Sequence, residues 1–363
     1  MQSENLLESD SSIVENRTRK SRSKKVTLMI WFHSIAFLLG LAALIWLTNK
    51  YWGPVSGSLA KVGWGFFLVV ALNLTRHLLR ALSMYLAVGP EHRKFKYRSA
   101  VAARLGGDAV SVLTFTGPFL GDATKAVLLR KNVPLTHGAS AVIIDIILYY
   151  ASVVIVILGG IGTLLFVYGS RGQVMSNILL AIVIVGMLIF VALIIAIGYR
   201  VTPITRIIKQ LERRHLAPQF ILRKQKAILD VENNVYEFYI TRRRDFFTVF
   251  GISMFVHVVS VTEVFVALRL LGFESTVAAA FIIESLTKVI NVVFSFVPGT
   301  IGVYEGGNGV ILFSIGYAAE TGIALGLVRH GAIFFSTFIG ILILLWRTLQ
   351  SGAKHLSKPE DQS

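Results

Sequence analysis

The feature that most constrains this chain is the segment Phe296–Gly309, which lies where two apolar runs, Ala278–Val297 and Val310–Tyr317, meet. It contains one proline, Pro298, and five glycines. Proline lacks a backbone N–H and glycine loses the most entropy in a helix, so an uninterrupted spanning helix is excluded here. A broken helix at membrane depth is tolerated only where protein buries it or where it lines a wet cavity. Because Glu305 lies inside the break, the segment predicts half of a site that handles a lipid or a solute.

The composition is that of a multi-pass membrane protein. Of the 363 residues, 54% are hydrophobic and only 15% are charged, whereas a soluble protein carries about 25% charged residues. Several apolar runs exceed the ~18 residues that mark a spanning helix. The formal net charge is +16, which we assign to cytoplasmic loops that meet anionic headgroups. Nucleic-acid binding is disfavoured, because no basic fold with interleaved aromatic residues is present.

Basic residues determine the predicted topology. Six Lys and Arg residues between Arg17 and Lys25 precede the first apolar run, Val26–Leu47, which places the N-terminus in the cytoplasm. Gly53 and Pro54 predict an outer loop over residues 51–61. We expect a protein of the cell (inner, cytoplasmic) membrane with both termini cytoplasmic. Its predicted parts are a disordered N-terminus (1–25), a first transmembrane half (26–199), a basic amphipathic cytoplasmic linker (200–245), a second transmembrane half (246–347) and a cytoplasmic tail (348–363).

An interrupted hairpin is predicted in each half. The first, over residues 99–131, breaks at Thr116–Asp122, which contains Pro118 and Gly121. Neither arm reaches the ~20 residues of a full crossing and basic residues flank both ends, so a re-entrant hairpin entered from the cytoplasm fits. Two steeply tilted full helices are the alternative. The second hairpin, over residues 277–319, is entered from outside by the same distribution of charge.

Both breaks carry a proline, then a glycine, then an acid. The residues are Pro118, Gly121 and Asp122 in the first break, and Pro298, Gly302 and Glu305 in the second. Paired interrupted segments in two halves indicate a transporter site and an inverted repeat. Unpaired N–H groups at the tips, with nearby cations, favour a phosphate group. Chance is the competing explanation, because Gly and Pro are frequent in membrane helices. The predicted fold is all-α, a polytopic membrane helix bundle.

Two arginines interrupt the second apolar run, Val62–Val88. Arg76 and Arg80 share one helix face. Arg76 either binds a headgroup from a cavity or snorkels to the surface. For Arg80, nearer the cytoplasmic end, snorkelling is the simpler interpretation. Both residues are retained as candidates for headgroup binding.

Further polar residues lie inside the apolar runs. Glu284 and Lys288 have the spacing and order of a favourable ion pair, and Asn291 continues their stripe. Asp145 is alone in its run, which favours an interfacial or helix-paired carboxylate over a site residue. The histidines are scattered and cysteine is absent, so we expect no metal, no cofactor and no enzymatic activity.

Two motifs resemble those of a known family. The segment Phe296–Gly306 resembles the "P-G-G-L-G-V-R-E" signature of the lysylphosphatidylglycerol synthase transmembrane region family. Gly117–Leu129 resembles the earlier "P-x-x-x-G-E-x-x-R-x-x-x-L" element of that family, and the likeness extends in order and spacing from Val26 to Arg347. The resemblance implies a membrane-embedded core that moves or presents lipids between leaflets.

Three positions depart from the family pattern. Asp122 stands where Glu is usual, Lys125 where Arg is usual, and Tyr304 where Arg is common. Lysine offers a point charge where arginine offers a bidentate fork. These departures concern the identity of the lipid more than the fold.

The resemblance leads to a functional hypothesis. The chain stops at Ser363, so we expect it to be a stand-alone member without the soluble domain that transfers lysine. We expect a flippase-like transporter of a phospholipid or polyprenyl-linked lipid. Expected partners are anionic lipids and lipid-synthesis enzymes, and a homodimer is left open. The alternatives are a small-solute or ion carrier and, less favoured, an enzyme acting on lipid headgroups. The candidate headgroup-binding residues are Arg76, Arg80, Pro118, Gly121, Asp122, Lys125, Glu284, Lys288, Asn291, Pro298, Gly299, Gly302, Tyr304 and Glu305.

Overall fold

The computed structural model describes residues 31, 34–114, 118–168, 181, 184–188, 203–214 and 219–356, and this part of the chain contains helices and no strand. The predicted all-α fold is therefore confirmed. The predicted N-terminal segment (1–25) lies outside the described residues. In chain order the helices are α1 (34–62), α2 (Phe66–Ala87), α3 (Tyr97–Leu113), α4 (Pro118–Leu129), α5 (Leu135–Tyr168), α6 (Pro203–Arg213), α7 (Gln219–Leu222), α8 (Gln225–Thr241), α9 (Arg243–Leu270), α10 (Val277–Val293), α11 (Val303–Ser314) and α12 (Ala319–Leu356).

Four helical segments in the described ranges are long and apolar enough to cross a membrane. They are Ser34–Ala87, Leu135–Val167, Arg243–Leu270 and Ala319–Gln350. The first has 54 residues, or about 80 Å of helix, far more than the ~30 Å hydrocarbon core. A 3₁₀ turn at Gly63–Gly65 divides it into α1 and α2. These segments make the chain an integral membrane protein.

The turn between the first two helices lies later in the chain than predicted. The loop expected over residues 51–61 is wrong, because these residues are helical through Gly53 and Pro54. Val55 and Val62 are buried in the core, and this packing outweighs the weak local propensities. The chain instead turns at Gly63, whose φ of +43° lies in the region that glycine tolerates best.

The hairpin of α3 and α4 is built on close contact between two glycines. A Cβ on Gly121 would lie 2.5 Å from the carbonyl oxygen of Gly107, so the two backbones touch. Pro118 begins α4, where a helix does not use its N–H. With 17 and 12 residues, the two helices are shorter than the ~20 residues of a crossing.

The second break separates α10 from α11. It contains a 3₁₀ turn, Pro298–Thr300, with Gly299 at φ 62°, and Gly302 follows at φ 78°. After the break, α11 returns along α10, with Thr287 donating to Asn308. The chain is thus interrupted at both predicted prolines, once before α4 and once before α11.

In the part of the chain that the structure describes, two apolar cores hold the helices together. The larger joins α1, α2, α9, α10, α11 and α12 and includes Val69, Leu268, Ile283, Leu312 and Leu325. The smaller joins α2 to α5 with α8 and α9 and includes Met84, Leu129, Val142, Phe238 and Val249. Because α2 and α9 contribute to both cores, they connect the two cores.

The predicted linker region contains α6, α7 and α8. On α6, Ile208 is buried while Arg206 and Lys209 are exposed. Thr205 donates to Glu232 of α8, which fixes α6 on α8. The arrangement has the two-sided character that the sequence pattern indicates.

Candidate functional site

Arg80 of α2 is buried and paired across helices. Its guanidinium makes two hydrogen bonds to the Asp145 carboxylate of α5, from Nε at 3.1 Å and from Nη2 at 2.5 Å. Arg104 Nη1 of α3 donates to the same carboxylate at 2.9 Å. The interpretation that Arg80 snorkels is wrong, because a carboxylate on the facing helix lies within reach. Of the two interpretations offered for Asp145, an interfacial carboxylate and a helix-paired one, the second is confirmed.

The same network continues into the first hairpin. Arg104 Nε donates to Asp108 Oδ2 at 2.8 Å, and Lys125 Nζ lies 2.8 Å from Asp108 Oδ1. Lys125 also pairs with Asp122 at 2.7 Å, and His77 Nδ1 lies 2.9 Å from Asp108 Oδ2. We call this group the first cluster: Arg80, Arg104, Asp108, Asp122, Lys125 and Asp145. Its three cations face three carboxylates, so its formal charges balance.

A second cluster links α2, α9, α10 and α12. Arg329 donates through Nε to Glu263 at 3.0 Å and through Nη2 to Glu284 at 2.8 Å. Arg76 Nη1 donates to Glu263 at 2.8 Å, and Lys288 Nζ lies 2.6 Å from Glu284. The second cluster therefore consists of Arg76, Glu263, Glu284, Lys288 and Arg329. Within the described part of the chain, three cations face two carboxylates, which leaves one excess positive charge in the interior.

Unused donors accompany that excess charge. Arg76 Nε and Arg329 Nη1 are buried and have no hydrogen-bond partner among the described residues. Buried polar groups are normally satisfied, so such donors require an explanation. Arg76 is the most open member of the second cluster, with 21% of its side chain exposed.

Tyr149 of α5 joins the two clusters. The Arg80 guanidinium lies 3.7 Å from the centre of its ring. Lys288 Nζ donates to the Tyr149 hydroxyl at 3.4 Å. The His257 ring stacks on the Tyr149 ring, with 5.2 Å between the two ring centres. Polar contacts thus run without interruption from the first cluster to the second.

Glu305 lies outside both clusters. Its Oε2 accepts from Gly302 N at 2.8 Å, which caps the first turn of α11, and its Oε1 contacts His330 Nδ1. His330 Nε2 donates to the carbonyl oxygen of Gly299 at 2.9 Å. Since both ring nitrogens face oxygens, either the imidazole is protonated or Glu305 is. The pair is therefore neutral overall and fastens α12 to the break.

The remaining candidates lie around the break and the first hairpin. Tyr304 is buried, with its ring 4.8 Å from His330 and 5.8 Å from the Arg329 guanidinium, so it borders the second cluster. Asn291 and Pro298 are half-buried. Pro118 is exposed and begins α4. Gly121 is buried and lets α4 pack closely against α3. Both residues therefore have a structural role in the first hairpin.

The structure brings some predicted residues together and leaves others apart. Arg76, Glu284 and Lys288 share the second cluster, and Arg80, Asp122 and Lys125 share the first. Asp122 and Glu305 belong to different contact networks. The residues that sequence reasoning left out of the site are Arg104, Asp108, Tyr149, Glu263, Arg329 and His330. Each of the charged residues in this set interrupts an apolar run, and this pattern could have identified them as candidates for the site.

Comparison with known proteins agrees with this architecture. The lysylphosphatidylglycerol synthase TM region matches residues 31–340 of the chain. No match was found among curated proteins or among solved structures. The matched range covers α1 to α11 and most of α12, together with both clusters. The chain therefore belongs to the lysylphosphatidylglycerol synthase transmembrane region family.

Proposed function

We propose that this protein moves a lipid with an anionic, phosphate-bearing headgroup between the two leaflets of the cell membrane. The observation that carries the proposal is the excess positive charge of the second cluster, where Arg76, Arg329 and Lys288 face only Glu263 and Glu284 among the described residues. An uncompensated charge is costly in a protein interior. An anionic headgroup is the counter-charge that this cluster lacks.

The free donors of the cluster suit phosphate. Arg329 Nη1 and Arg76 Nε are buried and unpaired in the described part of the chain. Phosphate oxygens accept several charge-assisted hydrogen bonds from guanidinium groups. Because Arg76 keeps 21% of its side chain exposed, it supplies the side from which a headgroup enters.

The connection between the clusters provides a polar route. A charged headgroup does not cross bare hydrocarbon, so polar groups must replace its hydration along the way. The route runs from Asp122, whose side chain is 25% exposed, through the first cluster and Tyr149 to the second cluster. The tip of the second break also lies near the first hairpin, since a Cβ added to Gly299 would lie 4.0 Å from Val112 Cγ1 of α3.

The proposal includes a membrane orientation and excludes a chemical step. We place the loop of Arg93 and the first turn of α9 on the cytoplasmic side because of their basic residues. The two hairpins then enter from opposite sides, as re-entrant elements of an inverted repeat. The lipids are acted on by transport alone, and any lipid-synthesis enzyme would be a separate partner.

A leaflet-flip assay in liposomes tests the proposal. Fluorescent phosphatidylglycerol and phosphatidylcholine would be reconstituted with the wild-type protein, and the inner-leaflet fraction followed by dithionite quenching. Lys288→Gln removes the excess charge, while Glu284 keeps its ion pair with Arg329. We therefore expect flipping of phosphatidylglycerol to slow by about tenfold or more. Lys288→Arg should retain most of the rate. Lys61→Gln removes an exposed lysine outside both clusters and serves as the matched control.

Two outcomes would contradict the proposal. One is equal flipping by wild type, Lys288→Gln and protein-free vesicles. The other is uptake of inorganic phosphate by the same proteoliposomes without any lipid flipping, which would identify a carrier of small anions. The second outcome has a structural basis, because a small anion would satisfy the same buried donors.

A further inference from the structure

A group of metal-ligating side chains lies away from both clusters. Glu91 and His92 are in the loop between α2 and α3, and His137 is in the first turn of α5. One ligand atom from each lies within 4.8 Å of the others, and the two imidazole rings are 4.1 Å apart between centroids. The sequence pattern does not predict this group, because His137 is distant in the chain from Glu91 and His92.

We infer that Glu91, His92 and His137 form a binding site for a divalent transition metal of the Zn²⁺ class. Two imidazole nitrogens and one carboxylate oxygen make a borderline ligand set that suits Zn²⁺. Ligand atoms around a tetrahedral Zn²⁺ stand about 3.4 Å apart, so small side-chain rotations close the site. Three protein ligands leave the fourth position for water. A bound ion would join the loop after α2 to α5.

The three side chains are open to an ion from solvent, because Glu91 is exposed and His92 and His137 are half-buried. Glu91 supplies the negative charge that offsets the cation.

The loop that carries two of the ligands is held in place. Arg93 donates to the carbonyl oxygens of Leu86 and Val88. Arg242 donates to the same pair of carbonyls and to Ala87. His92 N donates to Gly89 O at 3.0 Å, which closes the turn. The backbone is therefore preorganised, and a metal orders only side chains.

Gly89 positions the carboxylate. A Cβ on this residue would lie 1.9 Å from Glu91 Oε1, so the carboxylate folds back over the glycine. The obstructing atom is the end of a flexible side chain, so Gly89→Ala should fold normally and displace the carboxylate. This variant keeps all three ligands and disturbs only their arrangement.

Metal binding by the purified full chain, prepared without a polyhistidine tag, tests the inference. Co²⁺ absorption and competition with Zn²⁺ should show one ion per chain. We expect each single variant, His92→Gln, His137→Gln or Glu91→Gln, to weaken Zn²⁺ binding by at least about tenfold. The double histidine variant should abolish binding, Gly89→Ala should weaken it, and Glu274→Gln, an exposed acid elsewhere, should leave it unchanged.

Two results would overturn the metal site. One is the absence of stoichiometric binding by the wild type, and the other is a double histidine variant that binds as tightly as the wild type. Size-exclusion profiles and thermal midpoints in the presence of EDTA establish that the variants are folded. Gly89→Ala adds a check, because loss of affinity with all ligands present excludes adventitious binding to exposed histidine.

Discussion

The contact between the second break and α1 makes Gly302→Ala a strongly destabilising change. Gly302 has φ 78°, and an added Cβ would lie 1.9 Å from the carbonyl oxygen of Gly40 and 3.1 Å from Leu44 N. A left-handed conformation costs a non-glycine residue about 1–2 kcal/mol. The obstructing atoms are helix backbone, so α1 must shift, and such overpacking costs about 1–3 kcal/mol. We expect the free energy of unfolding to fall by about 2–5 kcal/mol.

Two further glycine variants separate the steric cost of the added Cβ from the cost of the left-handed backbone. In Gly40→Ala the new Cβ would lie 2.4 Å from Ile301 O, but Gly40 is an ordinary helical residue, so only the steric part applies. Gly162 is helical, and a Cβ added to it would meet no heavy atom within 4 Å among the described residues outside its own stretch of helix. Gly162→Ala should therefore stabilise the protein by up to about 1 kcal/mol. Unfolding in mixed detergent–SDS micelles, followed by circular dichroism, measures the stability of all three variants.

A specific pattern of stabilities would refute this packing. If Gly302→Ala and Gly40→Ala both unfold at the SDS fraction of the wild type, the break does not pack against α1. If Gly40→Ala is destabilised and Gly302→Ala is not, the left-handed backbone at Gly302 is wrong. Only destabilisation of both, with Gly302→Ala the larger, agrees with the structure.

Two buried carboxylates give further predictions for the same unfolding assay. Asp145→Asn leaves Arg80 and Arg104 without their shared counter-charge and should cost about 3–5 kcal/mol; a loss below about 1 kcal/mol would contradict the buried pairing. Glu305→Gln should cost less than about 1 kcal/mol, because the amide still accepts from Gly302 N and donates to a neutral His330. Glu305→Ala leaves that N–H unpaired and should cost about 1–3 kcal/mol; equal losses for the two Glu305 variants would argue against the cap.

The breaks and the local pairs could be predicted from the sequence. Pro298 and its neighbouring glycines exclude a continuous helix whatever the tertiary structure. Glu284 and Lys288 lie on one helix face at a spacing that brings them together, and they do pair. Glu305 also stands three residues after Gly302, the N-cap of α11, where its side chain accepts from the Gly302 N–H as the glutamate of a capping box does. That spacing indicates a structural role for Glu305, which the prediction of headgroup binding did not include.

Pairing between distant helices could not be predicted in the same way. Glu263 and Arg329 are 66 residues apart, and their contact depends on how α9 and α12 are rotated and which helices are neighbours. The sequence shows only that each charge interrupts an apolar run and therefore needs a partner. The same limit explains why snorkelling was the simpler expectation for Arg80: its partner, Asp145, lies on another helix.

Adjacent residues of α12 hold the break and the second cluster. Arg329 bonds to Glu263 and Glu284, and His330 bonds to Gly299 of the break. Consecutive residues of a helix point about 100° apart, so the two sets of bonds lie on different faces of one turn. A single turn of α12 therefore holds both the second cluster and the backbone of the break.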